Sequence, residues 1–289
     1  MDATHAISGR TKLACLIGSP VAHSASPLMH NTSFAQLGVD AVYLAFDVAP
    51  ANLERVALAL PRMGAIGYNV TMPHKASILP LLDDLSDAAR LMGAVNTVKV
   101  EADGRTTGHN TDGAGFWRGM SERGFDVRGK RVVILGAGGA GSALFVQAAL
   151  EGAAAVDVFN SRSPRFQAAV DRASTVEAHT GCAVRVHDLA DGEALAACCA
   201  RADAIVNATS VGMAPHEDDC PLSPALIPAG AWVADAVYNP RETKLLRMAQ
   251  RQGNPTMPGI DMIIWQGAIA EEIWLDRRMD VDLIRKLLA

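Results

Sequence analysis

The sequence predicts an α/β protein of two domains, and three observations carry that reading. Short apolar runs alternate with amphipathic helical patterns along most of the chain, as βαβ units do. The length of 289 residues suits two domains of roughly 150 residues each. A strand-like run at residues 132–135 leads into a glycine turn and then an Ala- and Leu-rich helix, which is the entry to a dinucleotide-type fold.

In the first domain, residues 13–17, 42–46 and 66–70 read as strands. Residues 51–63 read as a helix, because Leu53, Val56, Ala57 and Leu60 recur at i, i+3, i+4 and i+7 and form one apolar stripe. Right-handed crossovers then give a mixed, mainly parallel sheet. The second series places strands at 132–135, 155–159, 183–186, 204–207 and 233–236. Its clearest helix is 164–180: Ser163 caps it, Pro164 suits its first turn, Phe166, Val170, Ala173 and Val176 line one face, and Gly181 ends it. Residues 261–289 read as two helices that return to the first domain. The expected division is therefore 1–111 completed by 259–289, with a Rossmann-type domain over 112–258 and a ligand cleft between the two.

The net charge of −5 excludes a broad nucleic-acid footprint, which needs a basic surface. The longest apolar stretch is broken by the glycine turn and does not suit a membrane span, and no secretory pattern opens the chain. A cytoplasmic protein with a small-molecule partner is expected, as a monomer or homodimer, with no nucleic-acid or membrane partner. The five cysteines show no CxxC spacing and the histidines no HExxH pattern, so reduced thiols and no metal site are expected.

Gly136, Ala137, Gly138, Gly139, Ala140 and Gly141 form G-x-G-x-x-G between strand and helix. The first glycine permits the tight turn, the second lets backbone approach a pyrophosphate, and the third lets helix pack on strand. The next strand ends at Asn160, where NAD folds usually carry an acid for the ribose 2′-hydroxyl. Here Asn160-Ser161-Arg162-Ser163-Pro164-Arg165 follows instead. Arg162 and Arg165 suit a 2′-phosphate, which makes NADP the expected cofactor and leaves NAD open.

The first domain adds polar residues at its strand ends. Gly18 to Pro27 (GSPVAHSASP), Asn69 to Lys75 (NVTMPHK), Gly93-Ala94-Val95-Asn96-Thr97 and Asn110-Thr111-Asp112-Gly113 occur in that order, followed by the glycine turn, Asn207 to Met213, Asp235 to Pro240 and Gly259 to Gln266. Together they resemble the shikimate dehydrogenase family over nearly the whole chain. The resemblance implies reduction of 3-dehydroshikimate to shikimate with a nicotinamide cofactor, and the related quinate/shikimate dehydrogenases also oxidise quinate. It implies that Ser24 and Ser26 hold the substrate carboxylate, that Thr71, Asn96 and Gln266 meet the ring hydroxyls, and that Tyr238 makes a further contact. Lys75 and Asp112 become the catalytic pair, and Thr209 and Gly259 join the glycine turn in holding the cofactor.

The chemistry of the residues agrees with these roles. Oxidising a secondary alcohol moves a hydride from carbon and a proton from oxygen, so one group must exchange that proton within hydrogen-bond reach. Lys75 is expected in the first turn of a helix after Thr71 and Pro73, where the positive dipole end disfavours a cation. His74 and His109 are neighbours with no such task.

Two features bear on specificity. The family's NADP enzymes usually carry Asn-Arg-Thr after the second cofactor strand, with Arg three residues further on. Here Ser161 and Arg162 replace the Arg and Thr, while Arg165 keeps the last place. Serine at both 24 and 26 resembles members that prefer shikimate. An NAD-dependent quinate/shikimate dehydrogenase and a ligand-sensing relative without catalysis are the alternatives, and the presence of Lys75 and Asp112 argues against the second. A methylene-tetrahydrofolate dehydrogenase is disfavoured by the paired serines.

Overall fold

The structure is a computed structural model that describes residues 7–163 and 166–288. The chain forms two compact units, one of residues 1–111 with 266–289 and the other of 112–265.

The first unit contains β1 (Lys12–Gly18), α1 (Ser26–Leu37), β2 (Ala41–Asp47), α2 (Leu53–Arg62), β3 (Ala65–Val70), β4 (Asp84–Leu85), α3 (Asp87–Met92), β5 (Thr97–Val100) and β6 (Thr106–His109). Its sheet runs β2-β1-β3-β5-β6-β4. β1 lies parallel to β2 and β3, whereas β5 is antiparallel to both β3 and β6. β1 reads as a continuous apolar run because both faces are covered. Ala14 and Leu16 join a core with Phe34, Tyr43 and Trp274, while Cys15 and Ile17 join a second core with Leu53, Ala57 and Leu60 of α2.

The second unit contains α4 (Asp112–Glu122), β7 (Arg131–Leu135), α5 (Gly139–Leu150), β8 (Ala155–Asn160), α6 (Phe166–Thr180), β9 (Ala183–Asp188), α7 (Gly192–Cys199), β10 (Ala204–Asn207), β11 (Trp232–Asp235), α8 (Lys244–Arg251) and β12 (Thr256–Met257). All six strands are parallel in the order β12-β11-β10-β7-β8-β9. The order reverses between β7 and β10, the switch point at which such sheets bind ligands beyond their carboxyl ends. Two helices, α9 (Gly259–Leu275) and α10 (Val281–Leu287), complete the chain. Within the first unit, Trp274 of α9 donates its indole N–H to Val98 O at 2.9 Å.

One expectation changes, and another falls outside the described residues. The helix expected after Pro73 is instead a succession of turns ending in a 3-10 helix, Leu79–Leu81. Pro80 has no N–H to return to Ala76, whose carbonyl accepts from Leu79, and the Lys75 carbonyl accepts from Val95 N at 2.8 Å. An α-helical ladder is therefore replaced by tighter and longer-range bonds, and the helix-dipole argument for Lys75 falls. The cap expected from Ser163 and Pro164 involves Pro164, outside the described residues. Ser163 itself accepts through its carbonyl from Phe166 N at 2.9 Å.

Candidate functional site

In the first unit the strand ends bring the polar residues together. Thr71 follows β3, and its N–H donates to Ile17 O at 2.9 Å. A Cβ on Gly18 would collide with the Thr71 methyl, so glycine there lets Thr71 lie against the end of β1. The Val95–Lys75 backbone bond holds Lys75 beside the strand that presents Asn96. Asn96 is buried and is held by Thr111: its Oδ1 accepts from Thr111 N at 2.8 Å and its Nδ2 donates to Thr111 Oγ1 at 3.0 Å.

That pair is one end of a longer chain. Asn69 on β3 donates to Asn96 O at 3.1 Å and to Thr97 Oγ1 at 3.0 Å. Its own Oδ1 accepts from the Tyr43 hydroxyl. Burial holds the Tyr43 phenol well above its usual range, with Ser26 pulling the other way from α1. Ser24 Oγ accepts from Ser26 N at 3.2 Å, and the helix N-cap is Ala25, so neither serine caps α1. Both serines are half-buried, as is Gln266 on α9. The residue after Gln266, Gly267, leaves room for Met29 of α1, where a Cβ would strike it.

Sequence reasoning passes over Tyr43 and treats Asn69 as one more strand-end polar residue. The available signal was an asparagine inside an otherwise apolar strand, which must find partners when buried. His74 is also buried, and its Nε2 meets Val48 O at 2.7 Å, an anchoring contact. Half-buried His109 lies on β6 opposite Thr97, its ring held below the usual range by burial and then by Lys99.

In the second unit Asp112 opens α4, directly after Thr111. The glycine turn joins β7 to α5. Gly136 has φ 100°, open to glycine at little cost, and faces Ala208 and Thr209. A Cβ on Gly141 would drive into the Gly136 carbonyl oxygen, so α5 packs on the turn only with glycine there. Gly138 and Gly139 have nothing within 4 Å of a Cβ position. The backbone is thus bare where α5 begins, which fits a pyrophosphate approaching the helix N-terminus.

Asn160 braces this turn, its Oδ1 accepting from Ala137 N at 3.1 Å. Arg162 is exposed, pairs through Nε with Asp188 Oδ2 at 2.9 Å, and lies 5.0 Å above the Phe166 ring. Arg165 lies outside the described residues. Thr209 donates its hydroxyl to Asn207 Oδ1 at 2.7 Å, and Asn207 donates to Asp235 Oδ1 at 2.9 Å, so the loops after β10 and β11 are tied together. Tyr238 is about half exposed on the second of these loops. Gly259 packs on Val237 with no space for a side chain.

Comparison with known proteins places this geometry. Residues 16–98 match the family model described as the shikimate dehydrogenase substrate binding domain, and residues 259–289 the one described as the shikimate 5'-dehydrogenase C-terminal domain. The chain is 43% identical over 286 residues to shikimate dehydrogenase (NADP(+)) of Listeria monocytogenes serotype 4b (strain F2365), covering 99% of this chain and 98% of that one. A crystal structure of shikimate 5-dehydrogenase from Listeria monocytogenes, in complex with shikimate and NAD, has a TM-score of 0.95 at 43% identity, with 98% of each chain covered. Quinate dehydrogenase from Corynebacterium glutamicum in complex with NAD has a TM-score of 0.86 at 34% identity, covering 96% of this chain and 98% of that one. Among the described residues no helix is long and apolar enough to cross a membrane.

Proposed function

The chain belongs to the shikimate dehydrogenase family, and on that premise we propose that it interconverts shikimate and 3-dehydroshikimate by hydride transfer with NADP(H). The observation that carries the reading is the clustering of Thr71, Lys75 and Asn96 at the strand ends of the first unit, with Asn96 held by Thr111 immediately before Asp112.

Ser24 and Ser26 bind the substrate carboxylate through their hydroxyls. Thr71, Asn96 and Gln266 exchange hydrogen bonds with the ring hydroxyls, and Tyr238 adds a contact. Lys75 takes the proton of the reacting hydroxyl in oxidation and returns it in reduction, with Asp112 as the carboxylate member of the pair. The nicotinamide, when bound, accepts or supplies the hydride. The turn from Gly136 to Gly141 holds the pyrophosphate, Asn160, Arg162 and Arg165 the adenosine end, and Thr209 and Gly259 complete the cofactor site. A cytoplasmic setting is consistent with five free thiols. A monomer or homodimer without nucleic-acid partners is consistent with the net negative charge.

The test has two arms. Lys75→Ala is expected to abolish turnover while shikimate binding, measured calorimetrically, stays within a few-fold. Near-normal turnover sinks the role of Lys75. Initial rates with shikimate or quinate, each with NAD or NADP, are expected to be highest for shikimate with NADP, and silence in all four combinations overturns the catalytic reading.

A further inference from the structure

Asp157, His187 and Cys198 come from β8, β9 and the last turn of α7. One potential ligand atom from each lies within 4.8 Å of the others. None of the three has a task in the reaction proposed above.

The local fold explains the convergence. Residues 157 and 159 point to one face of the sheet, as do 185 and 187 on the neighbouring strand, where Asp157 is opposite Arg185 and Phe159 opposite His187. Asp157 and His187 are therefore diagonal neighbours on one face. His187 Nε2 meets Asp157 Oδ1 at 2.8 Å, and the imidazole stacks on Phe159 with 4.7 Å between centroids and 17° between planes. Helix α7 lies over this face, with Leu195, Cys198 and Cys199 in the same core as Phe159. It is fixed at its start by Asp191, which accepts from Ala194 N.

Exposure also suits a site. The side chains of His187 and Asp157 are 25% and 14% exposed, while Cys198 is 7% exposed. Solvent reaches two of the donors and the sulfur is shielded.

We propose that Asp157, His187 and Cys198 form a binding site for a thiophilic divalent cation of the zinc class, stapling β8, β9 and α7. Carboxylate, imidazole and thiolate are the donor set such an ion selects, and a tetrahedral ion with bonds of about 2.0–2.3 Å needs ligand atoms about 3.3–3.8 Å apart. The ligand atoms lie within 4.8 Å of one another, and the 2.8 Å contact between His187 and Asp157 has to open for an ion to seat between them.

The charges balance. Asp157 supplies one negative charge, Cys198 loses its proton to solvent on binding, and the two anions neutralise the dication while His187 binds neutral, the proton that Nε2 gives to the Asp157 contact being carried instead on Nδ1. Burial and then the Asp157 charge raise the Cys198 thiol above its ordinary range, and Arg201 opposes them. That is the reverse of an activated nucleophile, so a cysteine–histidine–aspartate hydrolytic reading fails. Arg201 reaches Cys198 Sγ at 3.8 Å while its Nε donates to Ala197 O at 3.2 Å, so the guanidinium can remain as a donor to a metal-bound sulfur. The ligands belong to three separate elements, which is why no linear motif announces them.

The test uses untagged, full-length protein stripped with a chelator and titrated with Co2+. Expected are a near-ultraviolet thiolate-to-cobalt band and visible tetrahedral bands saturating at one equivalent, and displacement of both by Zn2+. Cys198→Ser and His187→Gln are expected to lose the bands, and Cys220→Ser to keep them. Absence of the band from the wild type, or its survival in Cys198→Ser, overturns the proposal. Should Cys198→Ser fail to fold by circular dichroism, His187→Gln at the more exposed ligand decides. An unchanged tetrahedral spectrum in that variant also overturns it.

Discussion

The hydroxyl of Tyr43 donates to Asn69 Oδ1 at 2.7 Å, and both residues are buried. The bond joins β2 to β3 across β1, and through Asn69 it continues to Thr97, Asn96 and Thr111. Asn96, which we propose meets the substrate, is thus positioned by a phenol on the far side of the central strand. Tyr43→Phe deprives the Asn69 carbonyl oxygen of its donor in a buried place, which costs about 1–3 kcal/mol. The expected outcome is a stability loss of that order by urea unfolding, with KM for shikimate raised several-fold and kcat changed less. An unchanged KM contradicts the positioning role.

Gly141 and Gly138 separate packing from cofactor contact. A methyl at Gly141 meets the Gly136 carbonyl, and overpacking of this kind costs about 1–3 kcal/mol. Gly141→Ala is expected to lower the Tm by several degrees and weaken NADP binding together. A methyl at Gly138 meets nothing within 4 Å, so Gly138→Ala is expected to hold its Tm and still bind NADP at least ten-fold more weakly. Normal cofactor affinity in Gly138→Ala removes the turn from the site.

The legible parts were those whose physics is local. The glycine turn could be read because each glycine answers a steric demand within a few residues, as Gly136 and Gly141 show. The strands β1 and β7 could be read because burial on both faces makes them continuous apolar runs. β5 and β6 escaped because Thr97–Val100 and Thr106–His109 are four residues each and half polar. The Lys75 segment was misread because its carbonyl is claimed by Val95, a partner that exists only after folding. Tyr43 was invisible for the same reason: its partner is set by strand order, which β2 alone does not encode.

Arg162 and Asp188 define a test of cofactor choice. Their pair at 2.9 Å means that a 2′-phosphate must share the guanidinium with a carboxylate. A charge-assisted hydrogen bond is worth about 1.5–3 kcal/mol, so Arg162→Ala is expected to lower kcat/KM for NADP by roughly ten- to a hundred-fold and to leave that for NAD within about two-fold. Asp188→Asn, which frees the arginine, is expected to shift preference further toward NADP. Equal losses with both cofactors in Arg162→Ala would show that the residue does not read the phosphate.

Asp235 makes stability depend on pH in an unusual direction for a carboxylate. It is fully buried, and although it accepts from Thr243 Oγ1 at 2.7 Å and from Val237 N and Asn207 Nδ2 at 2.9 Å each, desolvation wins and pushes it up to about 6 from an ordinary 3.8. Between those values the folded chain holds more protons than the unfolded one, so the unfolding free energy falls as pH rises. The contribution is intact below about pH 4 and lost once pH passes 6, by at most roughly 3 kcal/mol for a shift of about two units. Asp235→Asn keeps an acceptor for Val237 and Asn207, offers its amide to Thr243, and cannot ionise. Its stability relative to the wild type is therefore expected to rise between pH 4 and pH 7, measured by urea unfolding at each pH. A difference that stays flat across that range means the buried carboxyl carries no penalty when charged, and the three hydrogen bonds then outweigh desolvation.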